Sequence, residues 1–139
     1  MKSLFRLLTA LHVWAYRLSR GRLLGRIGSL EFLLLTTIGR RTGKKRVIPL
    51  GWIDHEEGYL LVASNSGGPA NPGWFYNLKS HPQVTVEVMD RVVRATAEVL
   101  SGEARTQAWR QVLAAAPLYT RYERRTTREI PLIILRPRT

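Results

Sequence analysis

The amino-acid sequence predicts an α+β domain built on a small six-stranded antiparallel β-barrel with helices inserted between strands. Three observations lead there. Residues 33–38, 47–54, 59–64, 84–89, 92–100 and 130–135 are apolar or alternating stretches of strand length, rich in β-prone side chains. Short polar turns connect most of them, as expected for antiparallel neighbours. Helical patterns fall only before the first strand, after the third and after the fifth. A chain of 139 residues has room for one continuous core.

Residues 1–28 read as a basic amphipathic helix. Leu4, Leu7, Leu8, Leu11, Trp14 or Ala15 and Leu18 recur at helical spacing, with an end near Gly21 or a weak continuation to Gly25. Lys2, Arg6, Arg17, Arg20, Arg22 and Arg26 lie in this stretch without one acid. Arg6, His12 and Arg17 interrupt it short of the ~20 apolar residues of a membrane span, and a secretory signal fits poorly. Three roles suit such a helix: packing on the barrel with a solvated basic face, lying on an anionic bilayer, or closing over a site.

Leu33 to Ile38 is a buried strand that stops at Gly39, and Val47 to Asp54 returns beside it. Pro49 marks a strand edge or bulge there, and Gly51 permits close approach of a ligand or backbone. His55 to Gly58 is a turn with Glu56 and Glu57 as a solvated pair, followed by the strand Tyr59 to Ser64 and a flexible polar segment, Asn65 to Ala70. Asn71 is an N-cap and Pro72 a first helical residue, so Trp74, Phe75 and Leu78 lie on a short helix ending before Pro82. Val84 to Met89 and Val92 to Leu100 pair through Asp90-Arg91. Ser101 caps a helix with the buried stripe Ala104, Ala108, Trp109, Val112, Leu113 and Ala116. Pro117 breaks it and begins a turn carrying Tyr119 and Tyr122 on one face, before the last strand, Ile130 to Leu135.

The absence of cysteine excludes disulfides, thiolate metal sites and a cysteine nucleophile, and His12, His55 and His81 are too scattered for a metal cluster. No Gly-x-Ser-x-Gly elbow, His-Glu-x-x-His, Walker loop or strand-following Gly-x-Gly-x-x-Gly occurs. An enzyme with this sequence therefore draws its reactivity from a cofactor. The net charge of +12 implies an anionic partner: nucleic acid, membrane surface or acidic small molecule. Nucleic acid ranks last, because neither a helix-turn-helix pattern nor the aromatic and basic interleaving of RNA modules is present. Arg40, Arg41, Lys44, Lys45 and Arg46 crowd one turn between two strands, so their backbone is fixed by the sheet and suits a fixed anionic ligand.

Three segments in this order, TTIGRRTGKKRVIPL, VASNSGGPANPGWFYNL and TREIPLIIL, resemble the deazaflavin-dependent nitroreductases and F420H2-dependent quinone reductases, over about residues 30 to 137. The resemblance implies a split β-barrel related to FMN-binding barrels over residues 29–139, with coenzyme F420 as cofactor. It implies that the reduced form, F420H2, gives hydride to a quinone, nitroaromatic or similar electrophile. FMN, or haem as in related barrels, stays open as the ligand. It also implies a cytoplasmic protein that can touch the anionic inner face of the plasma membrane through residues 2–26.

Carried onto this chain, the family's tail-binding cations fall on Arg40, Arg41 and Arg46, with Thr42 beside them. Arginine forks suit a polyanionic phosphodiester and glutamate tail. The ring system would lie against Pro49, Ala63, Ser64, Asn65 and Ser66, and against Gly73, Trp74 and Asn77, where helix-start amides favour negative charge. Tyr119 and Tyr122 match tyrosines of the acceptor pocket, and with Asn65 they are the catalytic candidates. Where well-studied members place further pocket tyrosines, this chain has Gly51 and Ala116. Bland readings stand beside these: a solvated hairpin tip, a core tryptophan, ordinary turn formers and ordinary tyrosines. A coenzyme carrier or sequestering module without turnover, or a basic nucleic-acid-binding protein, are the alternatives to a reductase.

Overall fold

A computed structural model describes residues 2–23, 25–27 and 30–138. Six strands close the expected barrel: β2 (Leu30–Ile38), β3 (Lys45–His55), β4 (Gly58–Val62), β5 (Gln83–Val88), β6 (Arg91–Val99) and β7 (Leu132–Pro137). They run in the order β2-β3-β4-β7-β6-β5, all antiparallel, and β5 returns to β2 through Leu34↔Glu87, Leu35↔Val86 and Thr36↔Thr85. A two-residue strand, β1 (Arg26–Ile27), extends the sheet beside Leu30 and Glu31. The expected division between residues 28 and 29 lies outside the described residues.

Leu60, Leu61 and Val62 of β4 and Leu132 to Leu135 of β7 are buried without alternation. Both faces of these strands are covered, and a strand covered on both faces reads as a continuous apolar run. One face lines the barrel interior, where Leu33, Leu35, Leu61, Val86, Ile133 and Leu135 meet Trp74, Phe75 and Leu78 of α2 (Gly73–Ser80). The other face, with Leu60, Val62, Leu132 and Ile134, packs under Ala108 and Val112 of α3 (Gly102–Ala115) and Tyr119 of α4 (Leu118–Arg125). Each buried leucine, isoleucine, valine or phenylalanine among them stabilises the fold by roughly 1.5–3 kcal/mol relative to exposure. Ala104, assigned to the buried stripe, is exposed instead. Glu57 is not simply solvated: Arg136 binds it at 2.8 Å and also engages Glu98.

The first helix, α1 (Lys2–Leu18), is shorter than the span to residue 28. A Schellman cap ends it, with Arg20 left-handed (φ 56°), Arg20 N–H donating to Arg17 O and Gly21 N–H to Tyr16 O. Its orientation also differs from the simplest reading of the period. Buried Tyr16 faces the barrel, while Leu4, Leu7, Leu8, Leu11, Trp14 and Leu18 are exposed, Leu18 by 70%. The Tyr16 hydroxyl accepts from Met89 N–H at 2.7 Å and lies 3.2 and 3.3 Å from the Phe32 and Glu87 carbonyls. Arg17 adds a two-pronged contact to the Glu87 carboxylate at 3.0 and 2.7 Å.

Candidate active site

The barrel is open along one flank. β3 pairs with β2 from Lys45 to Trp52, but with β4 only at Ile53, Asp54 and His55. Pro49, opposite Leu34, lies in the stretch that pairs on one side only, where a residue without an N–H is tolerated. The open flank leads into a cleft of about 1790 Å³. It is lined by Arg46, Pro49 and Leu50 of β3, by Ser64 to Ser66, by Gly73, Trp74 and Asn77 of α2, by Tyr119 and Tyr122 of α4, and by Phe5, Val13 and Trp14 of α1.

The segment after β4 has an unusual backbone. Ser64 is right-handed (φ −76°, ψ −31°), and Asn65, Ser66 and Gly67 are left-handed, with φ of 48°, 55° and 78°. A right-to-left-handed step turns successive N–H groups toward one concavity, a geometry that receives anions and carbonyl oxygens. Asn65 is a residue type that tolerates this region, whereas Ser66 carries on the order of 1 kcal/mol of strain that its surroundings must hold. Gly67 N–H and Gly68 N–H donate to the Ser64 and Asn65 carbonyls, and the Asn65 amide donates to Ala70 O at 3.0 Å. Arg125 reaches Ser66 O at 3.3 Å, and Arg128 binds four acceptors along the segment.

At the start of α2 the cap differs from expectation. Pro72 occupies the N-cap position and makes no side-chain cap bond, while Asn71 turns its amide oxygen to Arg128 at 2.6 Å. A Cβ at Gly73 would meet nothing within 4 Å, so the first turn of the helix is open to a ligand. Buried Asn77 joins this helix to the cationic turn. Its oxygen accepts from the Arg40 N–H at 3.2 Å and the Arg40 guanidinium at 3.0 Å, and its nitrogen donates to Thr37 Oγ1 at 3.3 Å. Arg40 also lies 5.2 Å from the centre of the Tyr76 ring.

Tyr119 and Tyr122 stand edge to face, with ring centres 5.8 Å apart. Burial, with a smaller contribution from Tyr122, pushes the Tyr119 hydroxyl up to about 12. It therefore remains a neutral donor at any physiological pH.

Of the residues singled out from sequence, Arg46, Pro49, Ser64, Asn65, Ser66, Gly73, Trp74, Asn77, Tyr119 and Tyr122 converge on this cleft. Arg40 lies beside it through Asn77, whereas Arg41 and Thr42 are exposed on the hairpin tip, where Thr42 Oγ1 accepts from Lys44 N–H. Ala63, expected against the ring, is instead buried inside the barrel and gives its N–H to Pro131 O, so neither its side chain nor its amide faces the cleft. Gly51 lines the cleft as well, and Leu30 fills the space its Cβ would need. Ala116 is core. Sequence reasoning missed Arg125, Arg128 and Tyr16, because each binds mainly backbone carbonyls, rings or amides that leave no complementary residue type in the sequence.

Converging amides, an apolar wall and a guanidinium-bearing rim fit a planar heterocycle with an anionic appendage. On a split barrel this defines a reductase that borrows a flavin-like coenzyme. The chain belongs to the F420H(2)-dependent quinone reductase family, whose model matches residues 8–137. An F420H(2)-dependent quinone reductase of Mycobacterium tuberculosis H37Rv is 37% identical over 132 residues, covering 92% of this chain and 89% of that protein. A solved F420-H2 dependent reductase, FDR-A, is 39% identical with a TM-score of 0.68, over 75% of this chain and 92% of its own. A chain described as a domain-swapped dimer has the same identity and a TM-score of 0.69, over 75% of this chain and 78% of its own. A haem storage protein from Vibrio cholerae, 17% identical with a TM-score of 0.59 over 91% and 88% of the two chains, shares the fold alone. The protein is thus an F420H2-dependent oxidoreductase of the quinone reductase type, with reduced coenzyme F420 as its cofactor.

Proposed function

We propose that this chain reduces a lipid-soluble quinone in the cleft beneath α1, with residues 29–139 forming the reductase domain. The observation that carries this reading is the convergence of Arg46, the left-handed Ser64 to Gly67 turn and Tyr119 on one cleft at the open flank of the barrel. When bound, the reduced deazaflavin supplies the hydride. Arg46, Arg40 and Arg41 hold its polyanionic tail, and Lys44 and Lys45 add to the field. The Asn65 and Ser66 amides and the open first turn of α2 orient the ring against Pro49 and Trp74. Tyr119, held as a phenol, donates a hydrogen bond to an acceptor oxygen, and the proton that completes quinone reduction arrives through half-buried Tyr122 or water. Phe5, Val13 and Trp14 exclude water from above.

Gly51 and Ala116 stand where the resemblance places pocket tyrosines, and their absence favours quinones over bulky nitroaromatics. No described helix is long and apolar enough to cross a membrane. The leucine-rich outer face of α1 instead suits contact with the inner face of an anionic bilayer, in which such quinones dissolve.

Coenzyme binding tests the site. Titrating F420 should quench its fluorescence with the wild-type chain, and replacing Arg40, Arg41 and Arg46 together with glutamine should weaken binding at least about threefold, since each exposed contact contributes about 0.2–1 kcal/mol. Unchanged affinity in a folded triple variant would place the tail elsewhere. Coenzyme binding without oxidation of F420H2 by any of a panel of quinones would instead indicate a carrier.

A further inference from the structure

We propose that Arg128 is a positioning residue for the reductase site. Its guanidinium holds the left-handed turn in the one shape that aims the turn's N–H groups into the cleft. The proposal rests on the reading of that cleft as the coenzyme site.

The contacts bracket the left-handed residues from both sides. Ahead of them, Arg128 donates through Nη2 to Ser64 O at 2.7 Å and through Nη1 to Ala63 O at 3.4 Å. Beyond them it donates through Nε to Gly68 O at 3.0 Å and through Nη1 to Asn71 Oδ1 at 2.6 Å. Asn tolerates the left-handed region, but Ser66 directly after it, also left-handed, persists there only where its neighbours over-determine it. A planar fork spanning four acceptors does so; the single ammonium of a lysine would reach only part of the set.

The backbone that carries Arg128 is itself anchored. Its N–H donates to Thr126 Oγ1 at 3.3 Å, Ile130 two residues on is buried, and Pro131 O receives the Ala63 N–H at 2.9 Å. The turn is therefore referenced to the start of β7 rather than to another loop.

The acceptors are all neutral. Among the described residues, the ion pairs engage Arg17, Arg26, Arg105 and Arg136, and neighbouring Glu129 belongs to Arg105. The guanidinium charge is thus directed at peptide carbonyls. Ala63 O shares its peptide unit with the Ser64 N–H, and Ser64 O with the Asn65 N–H. Pulling on the oxygen end strengthens the donor at the other end. Arg128 accordingly both shapes the turn and makes the Ser64 and Asn65 amides better donors, without itself lining the cleft.

Arg128→Met and Arg128→Lys in the full chain test this with two probes: F420 and a tail-less deazaflavin carrying only the ring and ribityl chain. Only ring contacts should be lost, so both probes should weaken by the same factor, at least tenfold, with the salt dependence of F420 binding unchanged. The Arg40, Arg41 and Arg46 triple variant should do the opposite, weakening F420 and sparing the tail-less probe. In Arg128→Ala, guanidinium at tens of millimolar should restore binding where sodium chloride at equal ionic strength does not. If Arg128→Met does not fold, Arg128→Lys decides: amide exchange at residues 65–68 should quicken at least tenfold while that of the β7 amides stays near wild type. A folded Arg128 variant that binds both probes within twofold of wild type, or unaltered exchange in Arg128→Lys, overturns the assignment alone. Failure of the wild-type chain to bind either probe overturns the site reading and the assignment together.

Discussion

Tyr119 is 6% exposed, and its surroundings favour the phenol so strongly that pH becomes a probe of the site. In the unfolded chain a tyrosine titrates near 10, whereas in the fold this one titrates at about 12. Below pH 10 both states keep the proton and the stabilisation is complete. Between pH 10 and 12 the unfolded chain releases it first, so stability falls, by about 2–3 kcal/mol at the upper end. The urea midpoint should therefore drop from pH 9 to pH 11.5 more in wild type than in Tyr119→Phe, while turnover between pH 6 and 9 shows no step from this group. Gly67 is a second residue-scale test. Its φ is +78°, and a Cβ would sit 2.7 Å from Tyr122 O, so Gly67→Ala should cost about 1–3 kcal/mol in a thermal melt. At this scale the sequence displayed what clusters by type: the cationic turn, the Asn-Ser-Gly-Gly run, the paired tyrosines. It hid what acts through backbone. Arg128 has neutral acceptors and Asn77 an arginine 37 positions away, and neither partnership follows from spacing.

At the scale of elements, periodicity revealed α1 but not which way it faces. The leucine stripe was the natural candidate for burial, yet a single tyrosine with three backbone partners turns that stripe outward. Leu4, Leu7, Leu8 and Leu11, exposed on one face of α1 and outside the cleft, form a patch that suits a docking surface. Replacing Leu4, Leu7, Leu8 and Leu11 with serine should reduce co-sedimentation with anionic vesicles at least fivefold and leave F420 affinity unchanged. Equal sedimentation of variant and wild type would remove the membrane from the account. Strands were more legible than caps. Both cap positions named from sequence carry no side-chain cap bond, because Asn71 turns to Arg128 and the Ser101 side chain is not used.

For the whole molecule, six strands and their antiparallel pairing were readable from run length and turn chemistry. The closure of β5 onto β2 was not, since it joins segments about 50 residues apart through backbone groups alone. The split was foreshadowed only by Pro49, a residue that cannot complete a ladder. That opening has a cost for solubility. An unzipped strand is a template for another chain's strand, and long flat edges invite self-association. Lys45, Arg46 and Pro49 stand along this one as gatekeepers, two by charge and one by its missing donor. Pro49→Val should shift the chain toward dimers and larger species in size-exclusion chromatography at matched concentration. On the proposed reading, the side chains that border the coenzyme's opening double as the guard against polymerising through the molecule's own doorway.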